Sequence, residues 1–137
     1  MVSKNRANVI VVEDDALSRE ALCACLESEG LTSIRSAANG AAALRLIKEN
    51  SNVDVIVLDV YMPDMDGIEF LRELKQCGFQ GGVILMSGDP VILKTSKGLG
   101  KMYGIDVWAA LSKPFSAQSL MQVIEENLTP AQSQIPL

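Results

Sequence analysis

Glu13, Asp14 and Asp15 follow directly on the apolar run Ala7–Val12, and Asp59 closes the run Val55–Leu58. Ser87 follows Gly82–Met86, and Lys113-Pro114 follows Ile105–Leu111. Each residue alone has an ordinary reading. An acid after a strand commonly caps the next helix, which suits Asp15. Ser87 alone is a loop serine and Lys113 alone is surface charge. Asp59 resists such a reading, because a charge closing an apolar run is costly unless it is used. Together the residues describe a chemical device. Clustered carboxylates repel, so without a cation at least one takes up a proton. A hard divalent cation relieves that repulsion, and oxygen ligands without His or Cys select Mg²⁺. A carboxylate can also attack phosphorus to form an aspartyl phosphate. The charge spread over an incoming phosphoryl group can be held by a metal, an ammonium and a hydroxyl.

These residues converge only if the fold places the four runs side by side. Two periodicities alternate along the chain. Ala7–Val12, Val53–Leu58 and Gly82–Met86 are runs that suit strands buried on both faces, Ile105–Leu111 is the last strand, and a weaker strand near an edge covers Leu31–Ala37. Between them lie helical patterns. Ala16 to Glu29 carries Leu17, Ala21 and Cys25 four apart, with Leu22 and Leu26 beside them, and Gly30 stands at its C-terminal end. Gly40 to Asn50 places Ala43, Leu46 and Ile47 on one face. Asp66 and Glu69 form a capping box for a helix to Gln76. Asp89-Pro90 reads as cap and first turn of a helix from Val91 to about Met102, weakened by Gly98 and Gly100 at roughly 1 kcal/mol each. Ser116 caps a last helix to about Leu128, with Phe115 and Leu120 as its hydrophobic staple. Five strands alternating with five helices predict an α/β fold with a parallel sheet covered on both faces. In such sheets the site lies beyond the carboxyl ends of the strands, where the residues above stand.

The chain has 137 residues, one domain's length, with 48% apolar and 21% charged residues, a globular composition. Its net charge of −5 argues against nucleic acid as a direct partner. The absence of histidine excludes His-based metal sites, Ser-His-Asp triads and a histidine phosphocarrier role. No run approaches a membrane span, and the N-terminal apolar run is too short and too soon acidic for a signal peptide. Cys23, Cys25 and Cys77 lack zinc spacing and read as reduced core or helix residues of a cytoplasmic protein.

The segment Leu58-Asp59-Val60-Tyr61-Met62-Pro63-Asp64-Met65-Asp66-Gly67 resembles the phosphoacceptor motif of receiver domains of two-component response regulators. Val12-Glu13-Asp14-Asp15, Met86-Ser87-Gly88 and Ser112-Lys113-Pro114-Phe115 match the family's other motifs, in order. The resemblance spans about Asn8 to Leu128, so residues 1–128 are read as one receiver and 129–137 as a tail or severed linker. It implies the flavodoxin-like doubly wound sheet, with strand order 2-1-3-4-5. It also implies site roles. Asp59 is the phosphoacceptor. Glu13, Asp14, Asp59 and the Tyr61 backbone carbonyl hold Mg²⁺, with Glu13 acting through water. Ser87 and Lys113 hold the phosphoryl group, and the Lys113–Pro114 bond is cis. The implied function is a switch phosphorylated by a histidine kinase or phosphotransfer protein, acting on an output domain or partner. No turnover of an external metabolite is expected beyond self-phosphorylation and self-dephosphorylation. A phosphorylation-dependent homodimer is a further option, through the faces of the fourth and fifth helices.

Two departures stand out. Many receivers carry Tyr or Phe three residues before the lysine; here that residue is Ala110. Trp108, two residues earlier, is expected on the same strand face, either taking over the readout, anchoring a partner, or packing half-buried. The longer stretch from Gly104 to Phe115 is similar to receivers that precede EAL-type cyclic-di-GMP phosphodiesterase domains. Three other functions compete. A flavin or nucleotide binder needs a Gly/Ser/Thr-rich loop where the acids stand. An aspartate phosphatase usually has a second aspartate where Tyr61 stands. A pseudo-receiver would dock partners without phosphorylation.

Overall fold

The computed structural model describes residues 6–50, 52–61 and 67–133. Ten elements alternate: β1 (Asn8–Val12), α1 (Ala16–Ser28), β2 (Ser33–Ala37), α2 (Gly40–Glu49), β3 (Val55–Asp59), α3 (Gly67–Gln76), β4 (Gly82–Ser87), α4 (Pro90–Met102), β5 (Asp106–Ser112) and α5 (Ala117–Ser133). The five strands form one parallel sheet in the order β2-β1-β3-β4-β5. This is the expected flavodoxin-like doubly wound arrangement. β2 lies at the edge, which explains its weaker apolar character.

The sheet separates two cores. Ile10, Val12, Ile56 and Leu58 point to the side covered by α2, α3 and α4, where Phe70, Leu71 and Leu74 are fully buried. Val9, Val11, Val55 and Val57 point to the side covered by α1 and α5, where Leu26, Leu120 and Ile124 are buried. Strands apolar on both faces therefore read as continuous runs. Each fully buried Val, Ile or Leu contributes roughly 1.5–3 kcal/mol.

The caps follow the sequence signals. The Asn39 side chain accepts from Ala42 N–H at the start of α2, and Asp89 accepts from Val91 and Ile92 N–H at the start of α4. Ser116 Oγ accepts from Ser119 N–H at 3.0 Å ahead of α5. Gly30 follows α1 with φ of +106°, the conformation that suits glycine after a helix. The Asp66 half of the capping box for α3 lies outside the described residues. In α4, Gly100 faces the sheet, and a Cβ there would stand 2.9 Å from Val107 Cγ2. The glycine that lowers the helix propensity of α4 is what lets it approach β5.

Three expectations are corrected. The Leu17, Ala21 and Cys25 row of α1 faces outward, with Leu17 77% exposed. The packed face is Leu22, Cys23 and Leu26, because the sheet selects the row beside the one that the four-residue spacing suggests. The last helix continues past Leu128 to Ser133 and includes Pro130. The proline forfeits one helical hydrogen bond, to the carbonyl of Glu126, an exposed residue where water can take its place. The third correction concerns Trp108. The register runs Val83↔Val107 and then Ile84↔Ala109, so Trp108 is an extra residue in a β-bulge. The bulge breaks the two-residue alternation. Trp108 packs on the α1/α5 side, while Ala110 packs on the α2/α3/α4 side.

The Trp108 indole lies over Gly82 at the amino end of β4, and a Cβ at Gly82 would collide with the indole ring. Indole Nε1 donates to Asp106 Oδ2 at 3.0 Å. Gly82→Ala is therefore expected to swing out the chain's one tryptophan. Its emission shifts to the red, and stability drops by about 1–3 kcal/mol, as overpacking does. Unchanged emission and unchanged urea midpoint would contradict the packing described here.

Candidate functional site

Hydrogen bonds beyond the strand limits tie the carboxyl ends of the strands together. Glu13 N–H donates to Ala37 O at 3.1 Å, Val60 N–H to Met86 O at 3.1 Å, and Lys113 N–H to Ser87 O at 2.9 Å. Four adjoining strands thus deliver their terminal side chains to one place. Gly67 returns the chain toward this edge: its N–H donates to Val60 O at 3.1 Å. A Cβ there would lie 2.6 Å from Val60 Cα, which accounts for the glycine that closes the Asp59 motif. Residues 62–66 of that motif lie outside the described residues.

Glu13 and Asp59 are buried carboxylates, 3% and 6% exposed, and Asp14 is exposed beside them. One carboxylate oxygen from each of the three lies within 4.8 Å of the others. Lys113 reaches into the cluster: Nζ donates to Glu13 Oε1 at 2.8 Å and to Asp59 Oδ2 at 3.0 Å. Partial burial pulls the Lys113 pKa down, but hydrogen bonds to Glu13 and Asp59 and their charges outweigh it, so the ammonium ends above its ordinary value. The Lys113–Pro114 peptide bond is cis.

The other oxygen of Asp59, Oδ1, accepts from Tyr61 N–H at 2.9 Å. Glu13 Oε2 accepts from Asp15 N–H at 3.2 Å. Ser87 is buried, and its Oγ accepts from Asp89 N–H at 3.0 Å. A cleft of about 540 Å³ opens over these groups, lined by Asp14, Asp59, Tyr61, Ser87 and Lys113, with Asp89 and Ile92 from the α4 side. The larger groove, about 1000 Å³, lies at the amino ends of the strands and is lined by Trp108 and Gly82, so Trp108 stands away from this cluster.

All six sequence-selected residues stand at this sheet edge, with one difference in role. Asp15 is outside the three-carboxylate cluster. Its side chain accepts from Ser18 N–H at 2.8 Å and caps α1, and the Ser18 hydrogen bonds hold its pKa below the ordinary aspartate value. The cysteines are free thiols. Cys23 packs against the core, where burial raises its pKa, and Cys25 and Cys77 are exposed. Sequence reasoning missed Arg19, whose Nη1 donates to the main-chain oxygen of Glu13 at 2.8 Å. The signal was present, since long side chains in a helix point back toward its N-terminus.

Three carboxylates face one ammonium, leaving an excess of negative charge among hard oxygen donors. That donor set fits a divalent cation such as Mg²⁺. Asp59 also has surroundings in which a carboxylate can act as a nucleophile. It is buried at a cleft floor, with a cation on one oxygen and an amide N–H on the other.

The chain matches the response regulator receiver domain family over residues 9–125. It is 31% identical over 121 residues to the cyclic di-GMP phosphodiesterase RocR of Pseudomonas aeruginosa, covering 88% of this chain and 31% of that protein. It is 29% identical over 123 residues to the chemotaxis protein CheY of Bacillus subtilis, covering 88% of this chain and 96% of that protein. The solved structure of a response regulator from Colwellia psychrerythraea superposes with a TM-score of 0.75 at 30% identity, covering 92% of this chain and 98% of that one. The chain spans 31%, 51% and 53% of three longer curated relatives, RocR among them. Among the described residues no helix is long and apolar enough to cross a membrane.

Proposed function

The chain belongs to the response regulator receiver domain family, and from that premise we propose that it is a phosphorylation switch whose acceptor is Asp59. The observation that carries the reading is the Lys113 ammonium, bonded to Asp59 and Glu13 at one cleft floor with Asp14 and Ser87 on its walls. The donor is a phosphohistidine of a kinase or phosphotransfer protein. An Asp59 carboxylate oxygen attacks phosphorus, the new O–P bond forms, and the N–P bond breaks with its electron pair leaving on the imidazole. Lys113 holds negative charge on the transferred group. The Ser87 hydroxyl donates to a phosphoryl oxygen.

Glu13, Asp14, Asp59 and the Tyr61 carbonyl would hold Mg²⁺, which supplies charge neutralisation for phosphoryl transfer. No chemistry on an external metabolite is proposed. Phosphorylation adds roughly −1.5 to −2 charge and three strong acceptors at pH 7. The site is wired for a response: Ser87 Oγ accepts from Asp89 N–H, and Asp89 caps α4. A hydroxyl that turns to the phosphoryl group thereby disturbs the start of α4, coupling a local charge to a surface helix. The partner is a histidine kinase or phosphotransfer protein upstream and an output module downstream. The RocR similarity favours a cyclic-di-GMP phosphodiesterase domain as that output. A phosphorylation-dependent homodimer through α4 and α5 and a cytoplasmic location are part of the same proposal, as is a receiver unit over residues 1–128.

The test is incubation with acetyl phosphate, with and without Mg²⁺, followed by intact mass. Mg²⁺-dependent addition of one phosphoryl group supports the switch. No addition would point to a pseudo-receiver, which docks partners without phosphorylation. Tyr61 is 64% exposed at the rim of the cleft. A phenol at this rim would shield an aspartyl phosphate from water, so Tyr61→Ala is expected to shorten the phosphoryl lifetime several-fold. Equal decay in the two proteins would refute that role.

A further inference from the structure

Arg19 stands four residues into α1, and its guanidinium turns back over the acidic loop to the Glu13 main-chain oxygen, at 2.8 Å. That oxygen belongs to the peptide joining Glu13 to Asp14, the first two acids after β1. The rest of the loop is tied elsewhere. Glu13 N–H is bonded to Ala37, the Glu13 carboxylate to Lys113 and to Asp15 N–H, and the Asp15 carboxylate to Ser18. Asp14 itself is exposed, so the direction of its carboxylate depends on how the preceding peptide is held. Arg19 supplies that hold from a half-buried position, where its planar fork keeps a fixed direction.

We infer that Arg19 is a positioning residue for the cation site: by holding the Glu13–Asp14 peptide, it keeps the Asp14 carboxylate in register with those of Glu13 and Asp59. The inference rests on the reading of this cluster as a Mg²⁺ site. Its role is separable from the charge of Arg19 by sign. A positive charge beside the acids repels a divalent cation. If charge alone acted, removing it would tighten Mg²⁺ binding. If Arg19 positions the loop, removing it weakens binding.

The test is calorimetric Mg²⁺ titration at constant ionic strength, well below the unfolding temperature, of the wild-type chain, Arg19→Met and Arg19→Lys. Arg19→Met keeps the apolar stem and loses both donor and charge. Its Kd is expected to rise about tenfold, the scale on which outer-sphere partners act. Arg19→Lys keeps the charge without the fork, and its Kd is expected to rise by a smaller factor. That variant carries the test alone if Arg19→Met does not fold. Unchanged or tighter binding in the variants would overturn the inference. So would a lower metal-free Tm with an unchanged Kd, which marks a merely structural residue. Absence of binding already in the wild-type chain would instead overturn the cation reading itself.

Discussion

Asp59→Ala is expected to abolish phosphoryl uptake from acetyl phosphate while leaving the fold intact. The substitution removes the only proposed nucleophile, so the loss should be complete. It does not create a stability problem of the usual kind. Asp59 is 6% exposed and its nearest cation also serves Glu13 at 2.8 Å, so Lys113 keeps a partner when Asp59 is gone. Removing one carboxylate also lessens the repulsion within the cluster. The measurement is intact mass after incubation with Mg²⁺ and donor, alongside a urea melt. A variant that still gains the phosphoryl group would place the acceptor elsewhere.

Lys113→Met is expected to harm both stability and transfer. Without its ammonium, two buried carboxylates and one exposed carboxylate face one another at ligand distance with no cation among them. Breaking a fully buried pair costs about 3–5 kcal/mol. Lys113 is 33% exposed, so solvent screening brings the expected loss down to about 2 kcal/mol without metal. Added Mg²⁺ should restore part of it, since a divalent cation can replace the missing charge. Phosphoryl uptake should fall by two orders of magnitude or so, as when one preorganised stabiliser of transition-state charge is lost.

The pH dependence has a definite sign. The folded-state pKa of Lys113 lies above its unfolded value, so its contribution is fully present below the unfolded pKa of about 10.4 and is lost as pH rises through the folded value. The stability gap between wild type and Lys113→Met should therefore stay level across neutral and mildly alkaline pH. It should close only in strongly alkaline solution. A gap that already closes near neutrality would contradict the pairing.

The candidate site was legible because its residues follow apolar runs. Asp59 after Val55–Leu58 and Lys113 two residues beyond Leu111 are conspicuous, and alternation of strands and helices places such residues together. What was not legible depends on three-dimensional selection. A helix row can be chosen only once the sheet is in place, so Leu22, Cys23 and Leu26 could not be separated from Leu17, Ala21 and Cys25 by spacing. The side occupied by Trp108 turned on a single bulge residue, and nothing in Val107-Trp108-Ala109 announces one. The backward direction of a long side chain such as Arg19 was legible, but its acceptor, the Glu13 carbonyl, carries no residue-type signal, so the pairing was not. The end of α5 was not legible either, because the stretch after Leu128 has two prolines and little periodicity, yet the helix continues to Ser133.

The most direct measurement of the central claim is the chemical identity of the phosphorylated residue. Wild-type protein, phosphorylated with acetyl phosphate and Mg²⁺, is reduced with borohydride to convert the acyl phosphate to a stable alcohol, then digested and sequenced by mass spectrometry. The modification is expected on Asp59 alone and only when Mg²⁺ is present. Modification at Asp14 or elsewhere, or none under any condition, would contradict the assignment of Asp59 as the phosphoacceptor.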